Sequence, residues 1–511
     1  MNEKKMTGSF YTPPKLVEYM VSLFKDKKIS KVMEPSAGDG RFVSALMKLD
    51  VKIHAVEIDG SQKDIIETEG SNKAKVTISD FVEFSLKHDE KYDLIIGNPP
   101  YINKKNIDKD GRERSKKLVE NFQLSESVFQ NLWVSFILGS MKLLEKNGSI
   151  FFVLPFEFLQ VQYAEKLRIF LEKQFDHIEI TTFEDRVFEN IEQDVCLVLL
   201  TNKGDEEVIK YKTLKSIENT EETFSSEIKR NKPLKKWSNC ILNDKETETL
   251  IDLPKKYNEI RDYGEISPGI VTGANSFFII NKTSSNKMSA DKYVLNIISK
   301  ARYLSNSLFF KKSDFDRLVD DDKEVFLINL NEIKEETVSE KLSEYLAGGV
   351  KEGLTKRHKC SSRNRWFDVP IVGKGSAWFF KRYALFPKLV VNESEAYTTD
   401  LAYNIRFNKN IDPKSFVFCF FNSLTLTLCE YNGRFYGGGV GELVPSEFKG
   451  LSIPYKKISR EDIATLDKMF RENKPIFEII DFVDKKVLNL DDNNKNVLRD
   501  IRTRYVKRRI I

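Results

Sequence analysis

At 511 residues the chain has room for about two to four domains, and its 41% hydrophobic and 12% aromatic content is that of a folded protein, not a disordered one. A formal charge of only +5, from 82 basic and 77 acidic side chains, excludes a uniformly basic polyanion binder, so any basic face must come from uneven distribution. The five cysteines are scattered without a C-x-x-C pair and the four histidines lack H-E-x-x-H spacing, which argues against a disulfide framework and a structural zinc site; no metal is expected.

The opening MNEKKMTGSFYTPP is charged and has no apolar core of the signal-peptide kind. No apolar run approaches the roughly 18 residues that a membrane span needs, so the expected setting is the cytoplasm, with no membrane partner. From residue 31 to about 200, strand-like runs alternate with amphipathic stretches: KVMEP (31–35), IHAVEI (53–58), KVTIS (75–79), DLIIGN (93–98), SIFFVLP (149–155) and DVCLVLLT (194–201). Helical patterns lie between them, as in GRFVSALMKL and in FQNLWVSFILGSMKLLEKNG, where Gly148 reads as the stop. Strand–helix alternation predicts an α/β fold with a mostly parallel, doubly wound sheet. The all-apolar DLIIG fits a central strand buried on both faces.

Chemistry concentrates where these strands end. Glu34 closes the first and is followed by a turn carrying Gly38 and Gly40, which permit close approach to a ligand. Glu57 closes the second, where an acid can accept both hydroxyls of a ribose. Asp80 and Phe81 follow the third, the acid able to accept from an adenine amine and the ring able to pack on the base. The fourth ends in Asn98-Pro99-Pro100-Tyr101. An exocyclic aromatic amine is a poor nucleophile because its lone pair is delocalised into the ring. The Asn98 side-chain oxygen and the Pro99 carbonyl can accept its two N–H groups, the prolines fix that carbonyl, and Tyr101 can stack on the base. Each feature alone also reads as an ordinary cap or turn; four in order, one βα unit apart, do not.

The succession TGSFYTPP, EPSAGDGRF, VEID, SDF and NPPY resembles the γ-class N6-adenine DNA methyltransferases of the TaqI type, closely over residues 7–101 and loosely to about residue 200. The resemblance implies a class I SAM-dependent methyltransferase fold, with S-adenosylmethionine as methyl donor and a C-terminal mixed α/β target-recognition domain. It implies that Thr12 and Pro13 line the cofactor pocket, that Glu34 and Gly38 meet the methionine part, Glu57 the ribose, and Asp80 with Phe81 the adenine. It implies that Asn98, Pro99, Pro100 and Tyr101 hold a flipped target base. In DRVFENIEQDVCLVLL, Phe188 matches the family's second stacking aromatic, though core packing explains it as well.

After residue 201 the texture changes to a Lys- and Glu-rich stretch and then to short aromatic and β-branched runs broken by Gly, Asn and Pro. The expected division is a catalytic domain over 1–202, a connecting segment over 203–262 and a recognition domain over 263–511. GIVTGANSFFIIN (269–281) resembles a segment of the family's recognition domains; its Thr272 and Asn275 face a groove or simply form a turn. Between residues 351 and 388, ten Lys or Arg stand against two acids, with Trp366, Trp378 and Phe379 interleaved. Such local charge suits phosphate contacts, and Arg357, Arg363, Arg365, Lys381 and Arg382 are the expected DNA contacts. The glycine-dense FYGGGVGELVP (435–445) reads as a close backbone approach to DNA or as a hairpin loop, and the basic RTRYVKRRII as a further contact or a tail.

The expected activity is site-specific methyl transfer to adenine N6 in double-stranded DNA, protecting host DNA alongside a cognate restriction endonuclease, by a monomer. The alternatives are methyl transfer to protein glutamine or ribosomal RNA, or a modification subunit of a larger restriction complex.

Overall fold

A computed structural model describes residues 11–510 apart from 72, 189–193, 203–206, 231–232, 335–336 and 437. The chain forms two compact units, the first running to Thr247 and taking in Tyr436–Gly438, the second holding Glu248–Phe435 and Gly439–Ile510.

The first unit is built on strands β1 (Lys31–Glu34), β2 (Lys52–Glu57), β3 (Lys75–Ile78), β4 (Tyr92–Gly97), β5 (Leu144–Pro155), β6 (His177–Phe183), β7 (Val195–Thr201), β8 (Val208–Leu214) and β9 (Glu222–Lys229). They form one nine-stranded sheet in the order β3-β2-β1-β4-β5-β7-β6-β8-β9. The pairs β2–β3, β1–β2, β1–β4 and β4–β5 are parallel, and β7 enters antiparallel between β5 and β6. Strand order reverses between β1 and β4, and a ligand crevice opens beyond the carboxyl ends of strands at such a point. Those ends carry Glu34, Glu57, Asp80 and Asn98.

Helices cover both faces. Leu94 and Ile96 of β4 join a core cluster with helix α1 (Pro14–Ser22), α2 (Arg41–Leu46) and α3 (Lys63–Glu69), while Ile95 between them points to the opposite face. In α1 the buried Leu16, Val17, Met20 and Val21 recur one turn apart and make a single apolar stripe. Beyond β3 come α4 (Phe81–Lys87), α5 (Lys109–Asn121) and α6 (Leu132–Lys142), which pack on one another. Helix α6 is apolar nearly all round, with eight consecutive buried residues from Trp133 to Ser140, as a helix enclosed by neighbours must be. It stops at Lys142, six residues before the Gly148 stop read from the sequence, and β5 already begins at Leu144. Gly148 instead lies inside the strand, where an added Cβ would meet the Leu144 side chain at 2.8 Å.

Residues 203–262, expected as a connecting segment, supply β8 and β9 to the sheet. The second unit contains a five-stranded sheet that runs in the order β10 (Gly264–Pro268), β19 (Ala402–Phe407), β15 (Ala377–Phe380), β17 (Lys388–Glu393), β13 (Phe309–Lys311). In it β10 pairs antiparallel with β19, and β15 pairs antiparallel with both β19 and β17. A four-stranded sheet follows the order β11 (Ile279–Ile280), β14 (Phe326–Ile328), β12 (Val294–Ile298), β18 (Tyr397–Thr398), and β16 (Arg382–Tyr383) pairs antiparallel with a strand over Val440–Glu442. Three long helices lie near the end of the unit, which is mixed α/β as expected. The basic terminal stretch is no tail. It lies in helix Asp492–Arg509, and the 1%-exposed Arg509 side chain pairs with Glu430 at 2.9 Å.

Candidate functional site

A cavity of about 420 Å³ opens where the sequence places its strand-end acids. Glu34 enters it from β1, Glu57 from β2, Asp80 and Phe81 from the start of α4, and Asn98 and Pro100 from the loop after β4. Thr12 and Gly38 also line it.

The turn after β1 is shaped by two glycines in left-handed backbone, Gly38 at φ +54° and Gly40 at φ +80°. A Cβ at Gly40 would lie 3.3 Å from the Ile66 backbone, so both conformation and space select glycine there. The Gly38 N–H donates to Glu57 Oε2 at 2.7 Å, and the Asp59 N–H donates to Glu57 Oε1 at 2.9 Å. These bonds fix the carboxylate while leaving lone pairs for a ligand's hydroxyls. Glu34 is 1% exposed, and among the described residues its Oε2 has no hydrogen-bond partner. Burial, with the negative charges of Glu57 and Asp39 behind it, pushes its carboxyl well above the usual carboxylate range. A buried carboxyl without a partner is costly, and a cation placed against Oε2 would relieve that cost.

Asp80 caps α4 by accepting the Glu83 N–H at 3.0 Å on Oδ1, and it accepts from Arg114 Nη2 of α5 at 3.0 Å on Oδ2. Phe81 is buried against Phe136, ring centroids 4.9 Å apart, and both line the cavity. The Asn98 carbonyl accepts from the Ser36 hydroxyl at 3.1 Å, joining the turn after β1 to the loop after β4.

Four sequence-read residues lie off the cavity wall. Pro13 leads into α1, its carbonyl accepting the Leu16 and Val17 N–H groups at 3.0 and 3.1 Å, so of the pair Thr12–Pro13 only Thr12 lines the space. Pro99 is buried behind the wall. The Tyr101 hydroxyl donates to the Val153 carbonyl at 3.0 Å, and burial pushes the phenol far above its ordinary range. Its ring, like Phe188, packs against the core cluster of this unit. Sequence reading in turn missed Tyr11, Arg41, Ile58 and Leu132, all on the wall. Ile58 carried a usable signal: an aliphatic side chain directly after the strand-end acid, 70% exposed beside the cavity.

The expected DNA contacts of the second unit meet different fates. Thr272 is 1% exposed and its hydroxyl accepts the Ala274 N–H at 3.1 Å while also bonding Asn275, so it builds a turn; Asn275 itself is exposed. Arg363 donates to the Val271, Thr272 and Trp366 carbonyls at 3.1, 2.7 and 3.2 Å. Arg365 makes a bidentate pair with Asp368 at 2.9 and 2.8 Å and reaches the Ile333 and Leu330 carbonyls. Those two guanidiniums brace loops inside the unit. Arg357 and Arg382 are exposed, the latter 3.4 Å from Glu442, and Lys381 is half-buried. Trp378 and Phe379 are fully buried in strand β15 and Trp366 packs on Phe277, so these aromatics are core and not base-stacking platforms. Gly438 and Gly439 both take left-handed backbone, φ +83° and +75°, as a tight turn requires.

Among the described residues no cluster of three or more His, Cys, Asp or Glu side chains could hold a metal ion, and no helix is long and apolar enough to cross a membrane.

Comparison with known proteins agrees with this architecture. Residues 20–188 match the family described as Eco57I restriction-modification methylase, and residues 234–488 match the C-terminal domain of Type II methyltransferase M.Eco57I. Type II methyltransferase M.AccI of Acinetobacter calcoaceticus is 26% identical, over 95% of this chain and 94% of its own length. M.HincII of Haemophilus influenzae is 32% identical over 38% of this chain and 37% of its own length. Among solved structures, the Type IIL restriction-modification enzyme MmeI in complex with DNA aligns over 99% of this chain and 80% of its own, at 12% identity and a TM-score of 0.58. That likeness shows the fold, which in the first unit is that of the class I S-adenosylmethionine-dependent methyltransferases. With both units matched by their respective profiles, the chain belongs to the Eco57I-like restriction-modification methylases.

Proposed function

We propose that the protein transfers a methyl group from S-adenosylmethionine to the N6 amine of an adenine flipped out of duplex DNA, protecting that DNA within a restriction-modification system. One observation carries the reading: Asn98 and Pro100 of the N-P-P-Y loop share a single cavity wall with Glu34, Glu57 and Asp80. The acids come from three successive strand ends and suit a ligand made of an amino acid, a ribose and an adenine. Glu34, with its unpartnered buried oxygen, holds the ammonium; Glu57 takes the ribose hydroxyls; Asp80 accepts from the cofactor's adenine amine, with Ile58 and Phe81 on the ring.

When bound, S-adenosylmethionine supplies an electrophilic methyl on its sulfonium. The protein supplies positioning. Asn98 Oδ1 and the Pro99 carbonyl accept the two N6 hydrogens, which draws the nitrogen lone pair out of conjugation and towards the methyl. Neither oxygen is basic enough to keep a proton, so the one lost from N6 passes to water. Inside a duplex N6 cannot reach a methyl in line, so the nucleotide must swing out, at an unstacking cost of about a few kcal/mol. Tyr101 is immobilised through Val153 and can stack on the extruded base, and the half-buried Phe188, which packs against the same core cluster, is the candidate second aromatic. The exposed basic residues of the second unit supply phosphate contacts.

Single-molecule sequencing of DNA from cells expressing this chain tests the reading. N6-methyladenine at one recurrent site is expected. Methyl groups confined to cytosine N4, to RNA or to a protein glutamine overturn it.

A further inference from the structure

The cavity has an uneven charge. Its wall carries Glu34, Asp39, Glu57, Asp59 and Asp80, and among the described residues lining it Arg41 is the one cation. Acids suit a sulfonium and an ammonium, but the amino-acid end of the same cofactor also bears a carboxylate, which an acidic wall would repel. Arg41 opens α2, directly after the left-handed Gly40, and is held from three sides. Its Nε donates to Asp39 Oδ2 at 2.7 Å, its Nη1 donates to the Thr12 carbonyl at 2.9 Å, and its guanidinium lies 5.3 Å from the Tyr11 ring. Those bonds use two of its five N–H groups and hold a rigid fork at the cavity wall, with Nη2 bonded to none of the described residues.

We propose that Arg41 clamps the α-carboxylate of the bound cofactor through its Nη2 edge, so that Glu34 and Arg41 together read the two charges of the amino-acid end. The inference rests on S-adenosylmethionine as cofactor and adds the residue that selects its carboxylated form. Glu34 and Arg41 divide the work by sign: the acid takes the ammonium, and the base prevents the acidic wall from rejecting the carboxylate. The Thr12 carbonyl and Asp39 preorganise the guanidinium, so little side-chain entropy remains to be lost on binding.

The test is calorimetric and needs no turnover. The full chain is titrated with S-adenosylmethionine and with decarboxylated S-adenosylmethionine, which keeps the sulfonium and the ammonium but lacks the carboxylate. The unaltered protein is expected to prefer the carboxylated ligand by about tenfold to a hundredfold, the worth of a charge-assisted pair. Arg41→Ala is expected to erase that preference while binding the decarboxylated ligand as before, which also shows that the variant is folded. Arg41→Lys should keep part of the preference, because a point charge replaces the fork. Equal weakening towards both ligands in Arg41→Ala, or a preference that survives the substitution, overturns the clamp. An unaltered protein that binds neither ligand overturns the cofactor reading itself, and the clamp with it.

Discussion

Glu34 shows how much one side chain's surroundings decide. In the free protein burial and the charges of Glu57 and Asp39 favour its neutral form, so its carboxyl titrates well above the ordinary range. A bound ammonium favours the charged form instead. Below the raised value, cofactor binding must therefore eject a proton, and affinity should climb with pH until that value is passed and then level off. The contribution of this group to the stability of the free fold has the opposite sign, being fullest below the unfolded carboxyl value of about 4.3 and lost as pH rises through the folded value. Titrating S-adenosylhomocysteine below about pH 7, where its ammonium stays charged, in two buffers of different ionisation enthalpy measures the released proton. Glu34→Gln should abolish the release and weaken binding by about tenfold. Asn98→Ala should act on the other half of the site, leaving cofactor affinity within about twofold and cutting kcat by about a hundredfold or more; turnover equal to the parent would remove Asn98 from the reaction. Both residues stand at strand ends in motifs whose chemistry the sequence displays. Arg41 does not announce itself, because an arginine after a glycine turn acquires meaning only when the turn leaves it facing the same space as the strand-end acids. The reverse holds for Pro13, which the chain uses to start a helix.

At the scale of elements, Asp80 joins three jobs that substitution can separate. It caps α4 through the Glu83 N–H and receives Arg114 from α5, and it also lines the cavity. Asp80→Ala removes all three roles. Cofactor affinity should fall while DNA affinity stays within about twofold, and the missing cap should cost about 1 kcal/mol of stability. Asp80→Asn keeps a capping oxygen, so it should restore most of the stability while still binding cofactor less well. Chemical denaturation beside calorimetry separates the two effects, and a variant that loses stability without losing cofactor affinity would leave Asp80 a cap and nothing more. The parallel strands β1, β2, β4 and β5 are legible in the sequence because burial on both faces writes them as apolar runs. Strand β9 reads ETFSSEIK, half exposed at the sheet edge, with too little hydrophobic contrast to stand out from a charged linker. The end of α6 escapes the sequence because Leu144 and the charged residues after it suit a helix as well as a strand, and pairing with β4 decides between them.

For the molecule as a whole, the density of basic residues between 351 and 388 locates charge but not its use. Arg363 and Arg365 spend their donors on carbonyls and Asp368 within the second unit, whereas Lys351, Lys356, Arg357 and Lys359 are exposed and, among the described residues, form no ion pair. A linear sequence records the charge of each arginine and says nothing about which donors the fold consumes. The two groups should therefore answer differently to substitution. Replacing Lys356, Arg357 and Lys359 together by alanine should weaken DNA binding, and the slope of log affinity against log salt should shrink by about 0.9 for every phosphate left without its cation. Cofactor affinity and the denaturation midpoint should hold. Arg365→Ala should instead lower the denaturation midpoint, since Asp368 is deprived of its partner and two carbonyls of their donor, and the salt slope of the protein that stays folded should match the parent's. A triple variant whose salt slope equals that of the parent would place the phosphate-binding charges elsewhere on the second unit, because a surface that meets DNA through fixed charges cannot give up three of them and release the same number of counterions.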